Sequence, residues 1–217
     1  MKLVEILEAR SNSDLNTRYK SGAQELLQWT RNLRTRGNEQ IGIHMGAINK
    51  LGINPGEWFT EDTPRGIYFY PYGYWTSVVG ENQKLPTAGN MPYIHGFTYD
   101  SSKEYTGSRP ANIDSLVPIL RKYNIADHVI DNAVASSKGK YAQLYQIVYS
   151  CLYETDNQLP DQKNITVFNN ILRAAGYTCI VDYGHGYIAP HEPFQGVILD
   201  PSIIKQRTVV RNYTRQK

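Results

Sequence analysis

Cysteine is scarce in this sequence, which contains only Cys151 and Cys179 among 217 residues. Two thiols so far apart in the chain exclude a disulfide framework and a four-thiolate zinc site, so a reducing compartment is expected. No stretch approaches the ~18 consecutive apolar residues of a membrane-spanning helix. Glu5 and Glu8 stand where a secretory signal would need an apolar run. We therefore expect a cytoplasmic protein without a membrane partner.

A strong excess of charge is also missing, because the formal net charge is only +3. That value is too small to indicate nucleic-acid binding from composition. Phenylalanine is rare, with 5 residues against 17 tyrosines. Tyrosine combines an aromatic ring with a hydroxyl group, so this composition favours half-buried walls and grooves that hold polar ligands.

Hydrophobic periodicity predicts the elements of the first half of the chain. Helices are predicted near Leu3–Leu7 and over Ala23–Leu33, and Gly37 would close the second. Strands are predicted from Ile41, over Gly66–Tyr70 and over Tyr93–Thr98. The segment Pro71–Pro92 has little periodicity and is predicted to be a long functional loop.

The middle of the chain is predicted to be helical and its end to be strands. One helix would be capped by Asp114 or Ser115, with Pro118 in its first turn. The other elements are two helices over Tyr141–Leu152 and Val167–Ala175, the latter opened by Asn164 or Thr166 and closed by Gly176, and four strands over Thr178–Val181, Tyr187–Ala189, Gly196–Leu199 and Thr208–Val210. This order predicts an α+β domain.

Three parts of the chain follow from this reading. Residues 1–37 would be an N-terminal helical segment, and residues 38–210 would form the α+β domain. The remaining residues, 211–217, would be a basic tail, which we interpret as solvated.

The first cluster that could carry chemistry is Ile43-His44-Met45-Gly46, where a histidine within a strand is followed by a glycine. Glycine in a strand allows a ligand to approach the backbone closely. The alternative is a histidine whose hydrogen bonds are satisfied at a sheet edge, and the pattern alone favours that alternative.

The second cluster is the strand after Gly66. Alternation places Tyr68 and Tyr70 on one side and Ile67 and Phe69 on the other. A tyrosine face beside a glycine can stack on a planar ring. The alternative is a pair of tyrosines on a half-buried strand, which is at least as common.

The third cluster contains two histidines and two carboxylates between Asp182 and Gln195. A metal-dependent hydrolase would use Asp182, His185, His191 and Glu192. Their spacing matches no metal-binding motif whose mechanism is understood, so no metal is expected. The structural alternative is a β-hairpin with a polar rim.

Taken in order, these segments resemble the ADP-ribosyltransferase superfamily, in its diphtheria-toxin-like branch with a His–Tyr–Glu triad. Ile43–Gly46 is similar to that branch's histidine-and-glycine strand, and Gly66–Phe69 matches its G-I-Y-F strand. Gln195–Lys205 resembles the E-x-V-V-F-D-P-S-x-I-K ending of ADP-ribosyltransferase-like domains in phage polyvalent proteins. Thr63–Pro71 and His191–Gln195 also resemble a group of phage proteins. The resemblance covers patches between Ile41 and Lys205.

The resemblance implies an ADP-ribosyltransferase-like split β-sheet core with N-terminal and central helices. It implies NAD as a substrate and, as acceptor, a host macromolecule that is either a protein or a nucleic acid. For a phage-encoded protein the compartment would be the host cytoplasm. His44 would bind the NAD ribose and Tyr68 would stack on the nicotinamide. The loop from Tyr72 to Met91 would cover NAD or select the acceptor. The remaining residues assigned to NAD binding are Gly46, Gly66, Tyr70 and His95.

The catalytic glutamate of the family aligns with Gln195, and Glu192 stands three residues earlier. Breaking the nicotinamide–ribose bond builds positive charge on the ribose, which a carboxylate stabilises. Glutamine can orient a hydroxyl by a hydrogen bond but carries no charge. We therefore expect Glu192 to be the catalytic acid with Gln195 beside it. The alternative is an ADP-ribosyltransferase fold that is weakly active or inactive and serves as a binding or structural protein.

Overall fold

The computed structural model describes residues 17–52, 66–80, 91–153, 161–189 and 194–211. Within these ranges the elements in chain order are α1 (Thr17–Asn32), β1 (Glu39–Gly46), β2 (Ile67–Pro71), α2 (Tyr72–Gly80), β3 (Tyr93–Asp100), β4 (Glu104–Thr106), α3 (Ile113–Lys122), α4 (Asp127–Ser137), α5 (Gln143–Tyr153), α6 (Asp161–Ala174), β5 (Cys179–Val181), β6 (Gly196–Ile198), a 3₁₀ turn (Pro201–Ile203) and β7 (Ile204–Arg211). The predicted α+β class is confirmed.

The chain divides into two compact units. The first comprises the described residues within Met1–Gly52, Tyr68–Ser102 and Ser202–Lys217. The second comprises those within Ile53–Ile67 and Lys103–Pro201. The predicted helix before Gly37 lies in the first unit.

Strands β2, β1, β3 and β7 of the first unit adjoin in that order, and every pair is antiparallel. The register of β1 and β3 runs without interruption from Glu39 opposite Asp100 to Gly46 opposite Tyr93. Side chains that are directly opposite share one face of a sheet, so this register decides which residues of the two strands meet.

One face of this sheet packs against α1 and α2. Its buried cluster consists of Leu26, Leu27, Ile43, Met45, Tyr70, Trp75, Ile94 and Val210. Gly96 lets α1 approach, because a β-carbon there would lie 2.6 Å from Leu26 Cδ1 and 2.7 Å from the Trp29 ring. Burying apolar area between helix and sheet is the main stabilising contribution of such a face.

The other face of the sheet carries two phenylalanines, on β2 and β3, and two histidines, on β1 and β3. The rings of Phe69 and Phe97 meet edge to face with centroids 5.6 Å apart. Gly42 lies beneath them, since a β-carbon at that position would lie 2.6 Å from Phe97 and 2.8 Å from Phe69. This packed half of the face supports the adjoining half, where the histidines lie.

In the second unit, β5 lies between β4 and β6. The pair β4–β5 is parallel and the pair β5–β6 is antiparallel. Helices α3 to α6 belong to the same unit, where α5 packs against both α4 and α6. Tyr105 and Phe168 are among the largest fully buried side chains of this unit. The connection from β5 to β6 contains the cluster that begins at Asp182.

The prediction of a loop over Pro71–Pro92 is wrong for its first part, where α2 forms. Trp75 is only 1% exposed and joins the core cluster, and the Tyr72 ring stacks on it with centroids 6.4 Å apart. These tertiary contacts stabilise a helix that hydrophobic periodicity does not reveal. Residues 81–90 of the predicted loop lie outside the described residues, as does the predicted helix at Leu3–Leu7.

Three smaller predictions also differ from the structure. Helix α3 is capped by Asn112, whose side chain accepts from Ser115 N at 3.3 Å, and Pro118 lies inside it instead of in its first turn. The segment Tyr187–Ala189 forms no strand, because Tyr187 N donates to a buried carboxylate. The short strand β4 carries no alternation long enough to be recognised in the sequence.

Candidate functional site

A pair of histidines lies on the β1–β3 face beside the packed phenylalanines. His44 and His95 are directly opposite in the register, and their ring centroids lie 5.5 Å apart. His95 is 1% exposed, whereas His44 is half-buried. The family resemblance assigns both residues to NAD binding, and the structure brings their side chains together.

Backbone carbonyl groups fix the tautomers of both rings. His44 Nδ1 lies 2.6 Å from Tyr68 O, and His95 Nε2 lies 2.9 Å from Ile48 O. A carbonyl oxygen only accepts, so each of these nitrogens donates its hydrogen. In the neutral ring the Nε2 atom of His44 consequently carries a lone pair and can accept a hydrogen bond.

Burial keeps both imidazoles neutral at physiological pH. It lowers the pKa of His44 from 6.5 to about 4, against the opposing effect of the Tyr68 hydrogen bond, and the neighbouring His95 lowers it further. Burial also lowers the pKa of His95, opposed by its hydrogen bond to Ile48. The pair can thus accept or donate hydrogen bonds without carrying charge.

Gly46 packs closely against the histidine pair. A β-carbon at this position would lie 3.0 Å from His44 Nε2 and 3.2 Å from His95 Nε2. Any side chain would therefore press on the edges of both rings. This close packing is a structural reason for glycine at position 46, and its predicted role in the approach of a ligand stays a prediction.

The tyrosines of β2 point away from the histidine pair. The register places Tyr70 opposite Ile43, and both belong to the buried cluster on the helix-covered face. Tyr68 shares that side with Tyr70 by strand alternation. The structure therefore brings the carbonyl group of Tyr68 to His44, while Tyr70, at 4% exposed, is a core residue.

Tyr93 is the aromatic residue that the sequence reasoning missed. It lies opposite Gly46 on the side of the histidines, is half-buried, and has its ring centroid 6.5 Å from that of His95. Alternation along Tyr93-Ile94-His95 would have placed both aromatic side chains on one face. Alternation therefore indicates that Tyr93 and His95 share a face, but only the register with β1 places His44 on that face as well.

Of the two residues predicted as the acid, the structure describes only Gln195. Glu192 and His191 are outside the described residues, whereas Gln195 is half-buried directly before β6, in the second unit. Gly66 packs in that unit too, and a β-carbon there would collide with Val197 and the carbonyl of Ile198. This close packing is a structural reason for glycine at position 66.

Asp182 is fully buried and acts as the centre of a loop. Its Oδ1 atom accepts from Gly184 N at 3.1 Å and His185 N at 2.7 Å, and its Oδ2 atom accepts from Tyr187 N at 2.6 Å. These three bonds engage both carboxylate oxygens. Among the described residues, no three His, Cys, Asp or Glu side chains form a group that could hold a metal ion.

Comparisons with known proteins found no match: no protein-family model, no curated protein and no solved structure matches the chain. None of the helices in the described ranges is long and apolar enough to cross a membrane.

The neutral histidine pair makes stability depend on pH. The folded-state pKa of His44 is about 4 against 6.5 ordinarily, so the unfolded chain takes up the proton first as the pH falls. The free energy of unfolding should be at its full value above about pH 6.5 and should decline towards pH 4, by up to ~1.4 kcal/mol per pH unit for each such histidine. Urea unfolding at a series of pH values between these limits measures the slope.

Two variants make this measurement specific. His44→Gln should flatten the slope, because one titrating group is removed. His128→Gln, at an exposed position on α4, should leave it unchanged. Equal slopes for His44→Gln and the wild type would show that His44 is not buried in its neutral form.

Proposed function

We propose that this protein is an NAD-dependent ADP-ribosyltransferase with the fold of that superfamily, and that it modifies a host macromolecule. The observation that carries the proposal is the neutral His44, whose ring is fixed by the Tyr68 carbonyl group and leaves its Nε2 atom free to accept a hydrogen bond. A histidine with its Nε2 lone pair directed away from its anchor can accept a hydrogen bond from a ribose hydroxyl. The order of the His44, Tyr68 and Glu192 motifs supports the same assignment.

The proposed reaction breaks the bond between the ribose C1′ atom and the nicotinamide nitrogen. The bonding electron pair leaves with nicotinamide, and the acceptor nucleophile then forms a bond to C1′ and loses a proton. His44 holds the ribose, and the carboxylate of Glu192 stabilises the positive charge on the sugar. The resemblance assigns nicotinamide stacking to Tyr68, but strand alternation places that side chain on the opposite side of the sheet from His44, so Tyr93 is the ring that would stack on nicotinamide there. No metal takes part.

One observation favours a second candidate, an NAD-binding protein without transfer activity. Gln195 stands directly before β6, at the position where the resemblance places a glutamate. Glutamine orients a hydroxyl group but cannot compensate the charge of the transition state. Such a protein would bind NAD and release no nicotinamide.

Nicotinamide release from NAD by the purified protein, with and without host-cell lysate, tests the proposal. The wild type should release nicotinamide, and His44→Ala should do so about tenfold more slowly, as expected for the loss of one hydrogen bond to the sugar. His128→Ala is the matched control on the exposed side of α4 and should behave as the wild type.

The possible outcomes separate the two candidates. Release that is faster in lysate would support transfer to an acceptor. Absence of release in both conditions, with NAD binding seen by calorimetry, would identify the binding protein. Absence of both release and binding would overturn the NAD assignment itself.

A further inference from the structure

The second unit presents two exposed rings, Tyr183 and His185, on the loop after β5, and the half-buried Tyr141 lies against one of them. We call Tyr141, Tyr183 and His185 the aromatic patch. The His185 ring lies almost parallel to that of Tyr141, with centroids 3.7 Å apart and an interplanar angle of 28°. His185 is exposed, and Tyr183 is 50% exposed. Among the side chains whose burial the structure describes, Tyr183 is the only tyrosine, tryptophan or phenylalanine that is exposed, and such a ring is a candidate contact for a ligand.

Hydrogen bonds fix the loop that carries two of these rings. Asp182 accepts from the backbone of the loop at three positions, including His185 N at 2.7 Å. Tyr183 Oη donates to Glu104 Oε1 at 3.0 Å. Gly184 has φ +108, and a β-carbon there would lie 2.9 Å from the Phe194 ring. The rings are therefore held in place before any ligand arrives, which lowers the entropic cost of binding.

Two basic turns adjoin the patch. Ala142 N donates to Gly107 O at 2.7 Å, so the turn at residues 107–109 lies directly beside the one at 138–141. Gly107 lies against the Tyr141 ring, and a β-carbon at that position would overlap it. These turns carry three exposed cations, which are Arg109, Lys138 and Lys140.

No acidic residue within these two turns offsets the three positive charges. The segments 107–112 and 137–142 contain no aspartate or glutamate. Glu104 is 7% exposed and accepts from Tyr183, and Asp182 is fully buried within its loop. The two turns beside the rings therefore carry three cations and no acid, although the net charge of the whole chain is small.

We infer that the aromatic patch, with Arg109, Lys138 and Lys140, binds single-stranded nucleic acid. Bases stack on exposed aromatic rings without sequence preference, and cations along the same surface neutralise the phosphates. His185, held on Tyr141, offers its remaining face to a base, and Tyr183 offers a second ring. A duplex, whose bases are already stacked on one another, cannot use these rings. The inference does not depend on the proposed ADP-ribosyl transfer.

Fluorescence anisotropy with short labelled oligo(U) and oligo(dT), at low and near-physiological salt, tests this inference. The wild type should bind both oligonucleotides and should bind duplex DNA more weakly. His185→Ala should weaken binding at least ~5-fold, and His185→Phe, which keeps a ring, should restore it. Circular dichroism confirms that the variants are folded.

The salt dependence of the affinity tests the contribution of the charged residues. Lys138→Gln and Lys140→Gln should each reduce the slope of log affinity against log salt by about 1. Lys122→Gln, at an exposed position at the end of α3, is the matched control and should leave the slope unchanged. Absence of saturable binding, equal affinity of His185→Ala and the wild type, or equal binding of single strands and duplex would each overturn the inference. Nicotinamide release does not enter any of these results.

Discussion

Replacement of Asp182 by alanine is expected to lower the free energy of unfolding by about 3–5 kcal/mol, because it leaves three backbone N–H groups without their acceptor. The carboxylate is fully buried and accepts from Gly184, His185 and Tyr187 within 3.1 Å. Hydrogen bonds to a charged acceptor contribute more than neutral ones. Water can replace part of the loss at the exposed Gly184 and His185, which keeps the effect below the sum of three buried bonds.

Two further variants locate the effect. Asp182→Asn retains one acceptor oxygen but directs an amide N–H₂ group towards a donor, so an intermediate loss is expected. Asp131→Ala, at an exposed position on α4, should change stability little. Denaturant unfolding followed by circular dichroism measures all three, and hydrogen exchange should show faster exchange at residues 184–187. A loss below about 1 kcal/mol in Asp182→Ala would mean that the loop does not depend on this carboxylate.

Replacement of Glu192 by glutamine is expected to reduce nicotinamide release at least ~100-fold, as the loss of a charge-stabilising group in a transition state does. Affinity for NAD should change little, because glutamine still forms hydrogen bonds to ribose hydroxyl groups. The effect should therefore fall on kcat and not on KM. Steady-state kinetics of nicotinamide release, with calorimetry for NAD binding, separates the two parameters.

Gln195→Ala is the matched control for this assignment. Gln195 lies at the aligned position of the family's glutamate, directly before β6. If Glu192 has taken over the catalytic role, Gln195→Ala should lose much less activity than Glu192→Gln. Wild-type activity in Glu192→Gln, or a larger loss in Gln195→Ala, would contradict the assignment of Glu192.

Strong local signals in the sequence were sufficient for several elements. The apolar repeat over Ala23–Leu33 corresponds to α1, but the helix ends at Asn32, so Gly37, with φ +57, does not close it and lies instead in the turn before β1. The repeat through Tyr145, Val148 and Leu152 corresponds to α5, and Gly176, with φ +97, follows α6 as predicted. All three helices show the period of 3.6 residues, and for α6 the terminal glycine agrees with it.

Helix α2 and the Asp182 loop could not be predicted in the same way. The sequence of α2 lacks a separate polar face, and its Trp75 is stabilised by burial against residues of α1 and β1. Asp182 was interpreted as a possible metal ligand because its hydrogen-bond donors are backbone groups, which a sequence pattern does not display. Long-range packing and backbone donors both decide structure without leaving a periodic signal.

The sequence by itself determined the α+β class, the place of His44 in a strand and the glycine that follows it at position 46. It also determined the order of motifs that suggests NAD chemistry. Only the tertiary structure decided that His44 meets His95, that Tyr93 shares their side and that Tyr68 contributes its carbonyl group. The physical reason is that alternation gives the two sides of one strand, whereas the register between strands, set by the whole sheet, decides which side chains become neighbours.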